Sequence, residues 1–174
     1  PGSSFKVYTY AAAMEKGMTP QTVISDGPIT WRGWSPQNYG RSYAGRVTLA
    51  VALAKSINTV PVRLAKDVLG IDTIVKTTKD FGVETPIRSD KTIPLGTSEL
   101  TVLDQATGYS VFPAGGLQSR RHGLSQIISY DGRILYDFDR DEPPPHRVLS
   151  EQATASMNYM LSQIPVSGTA RKAA

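Results

Sequence analysis

Ser3 and Lys6 lie three positions apart at the start of an alanine-containing segment that favours a helix. On a helix this spacing places both side chains on one face, close enough for a lysine amine to take a proton from a serine hydroxyl. A serine is a weak nucleophile at its ordinary pKa, and a lysine can serve as its base if burial or positive neighbours keep the amine neutral. At a helix N-terminus the backbone N–H of Ser3 also points toward the reacting carbonyl. The pair indicates nucleophilic acyl transfer, but it also fits a helix cap followed by a solvated lysine, because Ser-x-x-Lys is common in sequences.

A second polar group is the Ser-Ile-Asn triplet at Ser56–Asn58, which lies at a predicted break between two helices. Polar side chains at such a break can project into a cleft instead of into bulk solvent. The alternative is that Ser56 ends one helix and that Asn58 or Thr59 caps the next. The triplet at Ser156–Asn158 matches the same pattern, but it lies within a helical pattern and is discounted.

Apolar periodicity and helix-ending residues predict a mainly helical chain. The first helix is expected over about Ser3–Lys16, with Phe5, Tyr8 and Ala12 forming one buried stripe. Each later helix is marked by a cap, by a proline in its first turn or by a glycine after its end. These helices are expected from the Thr48 cap to the break at Ser56, from Pro61 to about Leu69, over Asp72–Phe81, from a capping-box-like pair of Thr101 and Asp104 to about Phe112, and from the Ser150 cap to about Ile164.

One β-hairpin and several loops complete the predicted architecture. The runs Ser125–Tyr130 and Arg133–Phe138 are rich in β-prone residues and flank an Asp-Gly pair, a strong two-residue hairpin signal. The segments without periodicity are Gln21–Gly45, interpreted as a long ordered loop, Glu84–Glu99, the acidic proline-rich linker Asp139–Pro145, and the tail Pro165–Ala174. The predicted fold class is mainly α with a small β-hairpin.

Composition excludes several kinds of site. The 174 residues include no cysteine, which excludes disulfides, thiol catalysis and cysteine-bound metal. The two histidines, His122 and His146, are too few and too far apart to suggest a metal cluster, and no cofactor is implied. The net charge is +4 and the basic residues are scattered, whereas nucleic-acid binding requires a concentrated basic stripe. No apolar run reaches the roughly 20 residues of a membrane span, and the start at Pro1 without methionine indicates a piece of a longer protein.

Longer stretches of sequence carry a family likeness beyond the short motifs. They are Pro1–Gly17 around the first motif, Gly33–Tyr39, Val47–Leu64 around the second motif, Leu95–Thr101 and Gly168–Ala170. Together they resemble the transpeptidase domain of class A (bifunctional) penicillin-binding proteins, in order and over nearly the whole chain. Ser-x-x-Lys, Ser-x-Asn and Lys-Thr-Gly together mark penicillin-binding proteins and serine β-lactamases.

The resemblance implies a role for each motif residue. Ser3 would be the acylated nucleophile and Lys6 its base. Ser56 would relay protons toward the leaving group, and Asn58 would hold the peptide backbone of the substrate. The implied activity is cross-linking of peptidoglycan stem peptides that end in D-Ala-D-Ala, and β-lactams would mimic that donor. The whole protein would carry a membrane anchor and a glycosyltransferase domain, with the transpeptidase domain on the extracytoplasmic (periplasmic) face of the cell membrane.

Two departures from the family pattern bear on activity. Val7 replaces the usual proline after the lysine, and no Lys-Thr-Gly occurs anywhere in the sequence. In the family, that third motif lies on a strand that supplies the second N–H of the oxyanion hole. Residues 1–174 are therefore expected to be a partial transpeptidase domain, the helical subdomain without most of the central sheet, with little or no activity alone.

Two other functions remain open from the residues alone. A penicillin-binding sensor would be acylated through the same Ser3–Lys6 pair and would not turn over. A plain helical interaction module would use the polar triplets only as helix caps.

Overall fold

The computed structural model describes residues 1–173, which form seven α-helices, two antiparallel two-stranded hairpins and short 3-10 and π turns. The helices are α1 Lys6–Glu15, α2 Leu49–Ala54, α3 Thr59–Leu64, α4 Ile71–Asp80, α5 Val102–Ser110, α6 Phe138–Asp141 and α7 Glu151–Ser167. The strands are β1 Val23–Asp26, β2 Gly45–Thr48, β3 Gln126–Ile128 and β4 Ile134–Asp137. The 3-10 turns are Gly2–Phe5, Ile93–Leu95 and Arg171–Ala173, and the π turn is Ala65–Leu69. The predicted mainly helical fold class is confirmed, with two hairpins where one was predicted.

Helix α1 lies in the centre of the core and is buried on every side. Each residue from Phe5 to Met14 is buried, and the helix packs against α2, α3, α4 and α7. The prediction that Phe5, Tyr8 and Ala12 form a single buried stripe is therefore too narrow. The three consecutive alanines that begin at Ala11 have small side chains. Neighbouring elements can therefore pack against the faces that a helix with a single buried stripe would expose to solvent.

An aromatic cluster fixes α5 and α4 against α1. Edge-to-face contacts join Phe5 to Tyr8 at 4.9 Å between ring centroids, Tyr8 to Phe81 at 5.8 Å, and Phe81 to Phe112 at 5.7 Å. Gly108 of α5 faces the same cluster, and a Cβ atom there would lie 2.1 Å from the hydroxyl oxygen of Tyr8. Only a glycine at this position lets α5 approach the beginning of α1.

The predicted helix caps form at three helix starts. The side chains of Thr48, Thr101 and Ser150 each accept a hydrogen bond from the backbone amide three residues further on. Asp104 is the other residue of the capping-box-like pair, and its side chain bonds a different segment. Its buried carboxylate accepts a hydrogen bond from the amide of Glu84 at 3.1 Å. It thereby joins α5 to the loop after α4.

The segment Gln21–Gly45, predicted as one long loop, contains a strand. Strand β1 pairs with β2 in antiparallel register, with Val23 opposite Thr48 and Asp26 opposite Gly45. The prediction is wrong here because each strand has four residues and its partner lies beyond the whole intervening loop. No local turn signal therefore marks the pair.

The predicted hairpin around Asp131-Gly132 is confirmed by the pairing of β3 with β4. The linker that follows is partly helical, since α6 begins one residue before it and extends to Asp141. The side chain of Asp137 caps α6 by accepting from the amides of Asp139 and Arg140. This local cap outweighs the acidic, proline-rich composition that predicted an irregular linker.

Helix α7 is longer than predicted and continues from Ile164 to Ser167. Pro165 lies in its last turn, where it interrupts the hydrogen bonding of a helix that is already ending. The predicted irregular tail includes Ala174, which lies outside the described residues. Among the helices of residues 1–173, none combines the length and the hydropathy that crossing a membrane requires.

Candidate active site

Ser3 lies in the 3-10 turn that leads directly into α1, and its side chain is exposed. The loop after Ile93–Leu95 holds the start of this turn, because the amide of Gly2 donates to the carbonyl of Gly96 at 3.2 Å. Gly96 has a φ of +77°, and a Cβ atom there would lie 2.1 Å from the carbonyl oxygen of Gly2. The turn that carries Ser3 can keep its position only if residue 96 is glycine.

Helix α5 fixes the same turn through Ser4. The hydroxyl of Tyr109 donates to the carbonyl of Ser4 at 2.7 Å, and Nε2 of Gln105 donates to the Ser4 hydroxyl at 3.0 Å. The Ser4 hydroxyl in turn donates to the carbonyl of Pro1 at 2.7 Å. Sequence motifs give no sign of Gln105, since its partner lies 101 positions away in the chain.

The amine of Lys6 is bound by the Ser-Ile-Asn triplet. Its Nζ donates to the carbonyl of Ser56 at 2.8 Å, to the Ser56 hydroxyl at 3.0 Å and to Oδ1 of Asn58 at 2.7 Å. An ammonium group has three protons, so these three acceptors satisfy it fully. Two segments about fifty residues apart in the sequence are thereby joined at one buried amine.

Burial lowers the pKa of Lys6 to about 8. The residue is 1% exposed, and all three of its acceptors are neutral oxygens. Removing an ammonium group from water disfavours its charged form, and none of these three acceptors is a carboxylate that would offset the cost. About a tenth of the amines are then neutral at pH 7, against a negligible fraction for a solvated lysine.

Ser56 has a left-handed backbone conformation, with a φ of +53°. It lies two positions after the end of α2, and the turn is closed by hydrogen bonds from the Ser56 amide to the carbonyl of Leu53 and from the Ile57 amide to the carbonyl of Ala52, at 2.9 and 3.0 Å. Such a conformation is uncommon for a residue other than glycine or asparagine. It ends α2 and directs both oxygen atoms of Ser56 to Lys6.

Asn58 occupies the N-cap position of α3, but its side chain does not cap the helix. Its Oδ1 accepts from Lys6 instead, and its Nδ2 donates to the carbonyl of Gln37 at 2.8 Å. The alternative that the Asn58 side chain caps the next helix is therefore wrong. One N–H of the Asn58 amide is left without a partner among residues 1–173.

Three of the four predicted site residues are thus in direct contact, namely Lys6, Ser56 and Asn58. Ser3 lies one turn before Lys6, and in the described part of the chain no hydrogen bond joins its hydroxyl to the amine. The other Ser-x-Asn triplet lies inside α7, as predicted, and Nδ2 of Asn158 donates to the carbonyl of Phe112 at 3.1 Å. The catalytic roles assigned to Ser3, Lys6 and Ser56 and the substrate-binding role assigned to Asn58 remain predictions.

The segment after α7 returns to the second motif. The amide of Thr169 donates to the carbonyl of Ala54 at 3.0 Å, and a Cβ atom at Gly168 would lie 2.2 Å from the same oxygen. Ala54 is the last residue of α2, two positions before Ser56. The stretch Gly168–Ala170, which carries part of the family likeness, therefore lies beside the second motif.

Both histidines line one cleft of about 780 Å³ beside the β3–β4 hairpin. His122 stacks on Phe138 with ring centroids 3.8 Å apart, and Arg120 lies 4.0 Å from the centroid of the same ring. Within residues 1–173, no group of three or more His, Cys, Asp or Glu side chains is arranged to hold a metal ion.

The whole sequence matches the family model described as the penicillin binding protein transpeptidase domain, over residues 1–174. The chain is similar to penicillin-binding protein 1A of Neisseria gonorrhoeae, with 34% identity over 185 residues that cover all of the chain and 23% of that protein. It is also similar to penicillin-binding protein 1A of Pseudomonas aeruginosa, with 32% identity over 162 residues that cover 89% of the chain and 19% of that protein. The chain thus spans about a quarter or less of the length of these curated relatives.

Solved structures show the same fold. The crystal structure of penicillin-binding protein 1A from Haemophilus influenzae superposes with a TM-score of 0.84 and 25% identity, covering 98% of the chain and 31% of that protein. The penicillin-binding protein PonA1 from Mycobacterium tuberculosis superposes with a TM-score of 0.85 and 22% identity, covering 94% of the chain and 47% of that structure. The family that the longer stretches of sequence resemble is confirmed: the chain belongs to the transpeptidase domain family of the class A penicillin-binding proteins.

Proposed function

We propose that the chain carries the nucleophile and the second motif of a serine D,D-transpeptidase that cross-links peptidoglycan stem peptides. One observation carries this proposal: Ser56 and Asn58 converge on the buried amine of Lys6, one turn after the exposed Ser3. The arrangement joins a nucleophile, a base of lowered pKa and a second hydroxyl in one site, which is the set of groups that acyl transfer needs.

In the proposed acylation, the hydroxyl oxygen of Ser3 attacks the carbonyl carbon of the penultimate D-Ala of a stem peptide ending in D-Ala-D-Ala. An ester to Ser3 forms and the C–N bond to the terminal D-Ala breaks. Neutral Lys6 takes the hydroxyl proton, and Ser56, hydrogen-bonded to the amine at 3.0 Å, passes a proton to the leaving amine. An amine of a second stem peptide then attacks the ester, which frees Ser3 and completes the cross-link.

Two further groups support the reaction. Ser3 lies in the first turn of its helix, where backbone N–H groups have no intrahelical acceptor, so its N–H can donate to the developing oxyanion. Asn58 uses one N–H for Gln37, and its second N–H can donate to a carbonyl of the bound peptide. β-Lactams would enter as mimics of the D-Ala-D-Ala donor and acylate Ser3.

The test is labelling of the full-length protein by a fluorescent penicillin. Ser3→Ala is expected to abolish covalent labelling, and Lys6→Met and Ser56→Ala are expected to slow it by at least about 100-fold. The matched control is Ser156→Ala, which alters the Ser-x-Asn triplet inside α7 and is expected to leave labelling unchanged. Undiminished labelling of Ser3→Ala would show that the nucleophile is another residue.

Turnover separates the transpeptidase from a sensor that is only acylated. Both would be labelled through Ser3, but only the transpeptidase forms cross-linked peptide and releases D-Ala from a stem-peptide donor. Labelling without either product would favour the sensor. A helical interaction module would not be labelled at all.

The remaining proposals concern the whole protein. A membrane anchor and a glycosyltransferase domain would accompany the transpeptidase domain, on the extracytoplasmic face of the cell membrane. Residues 1–174 alone would turn over little substrate, because they contain no Lys-Thr-Gly to supply the second oxyanion donor. Loss of one such donor lowers rates by about 100- to 1,000-fold.

A further inference from the structure

Asn38, in the loop between β1 and β2, lies at the centre of a hydrogen-bond network behind the second motif. Its Oδ1 accepts from the amide of Asn58 at 2.9 Å and from the amide of Thr59 at 3.4 Å. Its Nδ2 donates to Oδ1 of Asp26 at 2.8 Å and to the carbonyl of Ser42 at 2.9 Å. Both acceptor positions and both protons of the amide are therefore in use, which leaves the side chain one orientation.

Asp26 is a buried carboxylate at the end of β1, and it is 2% exposed. Besides Asn38, it accepts from the hydroxyl of Thr59 at 2.6 Å and from the amide of Ala44 at 2.7 Å. Burial alone would raise the pKa of Asp26, but these hydrogen bonds, with Arg63 nearby, bring the pKa below its ordinary value. A buried carboxylate is costly unless it is satisfied in this way, and here its partners are the first residue of α3 and the loop that contacts the motif.

The network reaches Lys6 through Asn58. The backbone amide of Asn58 is held by Asn38, and its side-chain Nδ2 is held by the carbonyl of Gln37. With Nδ2 fixed on one side, Oδ1 must face the opposite side, where it accepts from Lys6 at 2.7 Å. Two adjacent residues of the β1–β2 loop thus determine where the oxygen of Asn58 points.

We propose that Asn38 and Asp26 are positioning residues for the acyl-transfer site, which hold the Ser56–Asn58 turn so that its oxygens converge on the amine of Lys6. The inference rests on the proposed function for its catalytic consequence. Its structural part, that Asn38 controls the surroundings of Lys6, can be tested without activity. Asn38 and Asp26 would act only through Asn58 and the start of α3.

The test compares Asn38→Ala with Asn158→Ala in the full-length protein. Each substitution removes a side-chain amide that is hydrogen-bonded to a main-chain group. Asn38 bonds the amide of Asn58 at the second motif, whereas Asn158 lies in α7 and bonds the carbonyl of Phe112, away from Lys6. The first measurement is the titration of Lys6, followed by competitive acetylation of the amine at a series of pH values and mass spectrometry. This measurement needs folded protein and no catalysis.

In Asn38→Ala the titration midpoint of Lys6 is expected to fall by about half a pH unit or more, because the ammonium loses a well-placed acceptor while it stays buried. Asn158→Ala is expected to titrate as the unaltered protein does. A midpoint that stays the same or rises in Asn38→Ala would overturn the inference, whatever the protein's activity.

The second measurement is the rate of acylation by a fluorescent penicillin as a function of pH. Asn38→Ala is expected to lower the plateau rate by about 10- to 100-fold and to move the midpoint to lower pH, while Asn158→Ala keeps both. If Lys6 titrates as expected but the unaltered protein is not labelled, the proposed function fails and the positioning role stands. If labelling occurs with the same rate and midpoint in both variants, the positioning role fails and the function stands.

Asp26→Asn provides a second variant if Asn38→Ala does not fold. It preserves the volume of the side chain, but a single amide oxygen cannot accept from all three donors that Asp26 now satisfies. The same downward shift in the Lys6 midpoint is expected, and an unshifted midpoint would again overturn the inference.

Discussion

The Nζ atom of Lys6 lies 2.7 Å from Oδ1 of Asn58, a residue 52 positions further along the chain. Together with the two bonds to Ser56, this contact uses every proton of the ammonium group. The charged amine is therefore held by the second motif and not by the serine three residues before it. For Lys6 to act as a base toward Ser3, it must first lose a proton and give up one of these three partners.

The rate of acylation is expected to rise with pH and to be half-maximal near pH 8. The reason is that only the neutral amine of Lys6 can accept the proton of Ser3, and burial places the pKa of Lys6 at about 8. The measurement is the second-order rate of labelling by a fluorescent penicillin between pH 6 and about 10, at constant ionic strength. A rate that is independent of pH across this range would contradict the assignment of Lys6 as the base.

The contribution of Lys6 to the free energy of unfolding is expected to rise between about pH 8 and pH 10.5. In this window the unfolded chain still binds a proton at Lys6, whose ordinary pKa is 10.5, whereas the folded chain has released it. Stability increases with pH wherever the unfolded state binds more protons. Denaturant titrations at several pH values measure the free energy of unfolding of the unaltered protein and of Lys6→Met. The difference between the two proteins isolates Lys6 from the buried tyrosines, whose raised pKa values make stability fall with pH near pH 10.

Gly96→Ala is expected to destabilise the protein and to slow acylation. A Cβ atom at residue 96 would lie 2.1 Å from the carbonyl of Gly2, in the turn that carries Ser3. The matched control is Gly17→Ala. Gly17 has a φ of +90°, and no atom lies within 4 Å of the position that an added Cβ would take. The control should lower the free energy of unfolding only by the backbone strain of the left-handed conformation, which is about 1–2 kcal/mol.

Gly96→Ala should lower the free energy of unfolding by about 1–3 kcal/mol more than Gly17→Ala does, because the turn that carries Ser3 must shift to relieve the overlap. Denaturant unfolding measures both costs, and penicillin labelling at matched folded fraction measures the effect on Ser3. Equal losses of stability with unchanged labelling would mean that the contact between residues 96 and 2 does not position the nucleophile.

Gly108→Ala is expected to lower the free energy of unfolding by about 1–3 kcal/mol through overlap with the Tyr8 hydroxyl. Combining it with Tyr8→Phe should recover part of this loss, since the atom 2.1 Å from the added Cβ is then absent. The recovery should be incomplete, because two ring carbons of residue 8 lie 2.9 Å from the same Cβ. A double-mutant cycle measures the coupling, and strictly additive losses would show that α5 moves away as a whole.

Local features of the fold could be predicted from the sequence, since their causes lie within a few residues. Thr48, Thr101 and Ser150 cap the helices that follow them because each hydroxyl reaches an amide three residues away. The β1–β2 hairpin was missed because its register depends on the long loop between the strands. The burial of α1 on all faces was missed because only the assembled neighbours reveal it.

The candidate site likewise combines features with local causes and features that depend on residues distant in the sequence. Helical spacing predicts that Lys6 and Ser3 lie on one face. Spacing determines only the direction in which a side chain leaves the helix, and it does not determine which acceptor the amine at the end of a long lysine side chain reaches. The acceptors lie about fifty residues away, on a turn whose shape depends on the φ of +53° at Ser56. Asn38 carried no motif of its own, and its role emerges only from the four hydrogen bonds that it makes with three separate segments.

The burial of α1 limits how a site built on it can diversify. A helix with one solvent-facing side can rotate or shift slightly when its surface residues change, and so re-aim a group at its end. With every residue from Phe5 to Met14 buried, α1 has no such freedom, and the turn that carries Ser3 is anchored by Gly96 and Tyr109 as well. Adaptation to a new acyl donor would therefore have to come from the surrounding loops, while the helix that presents the serine stays where it is.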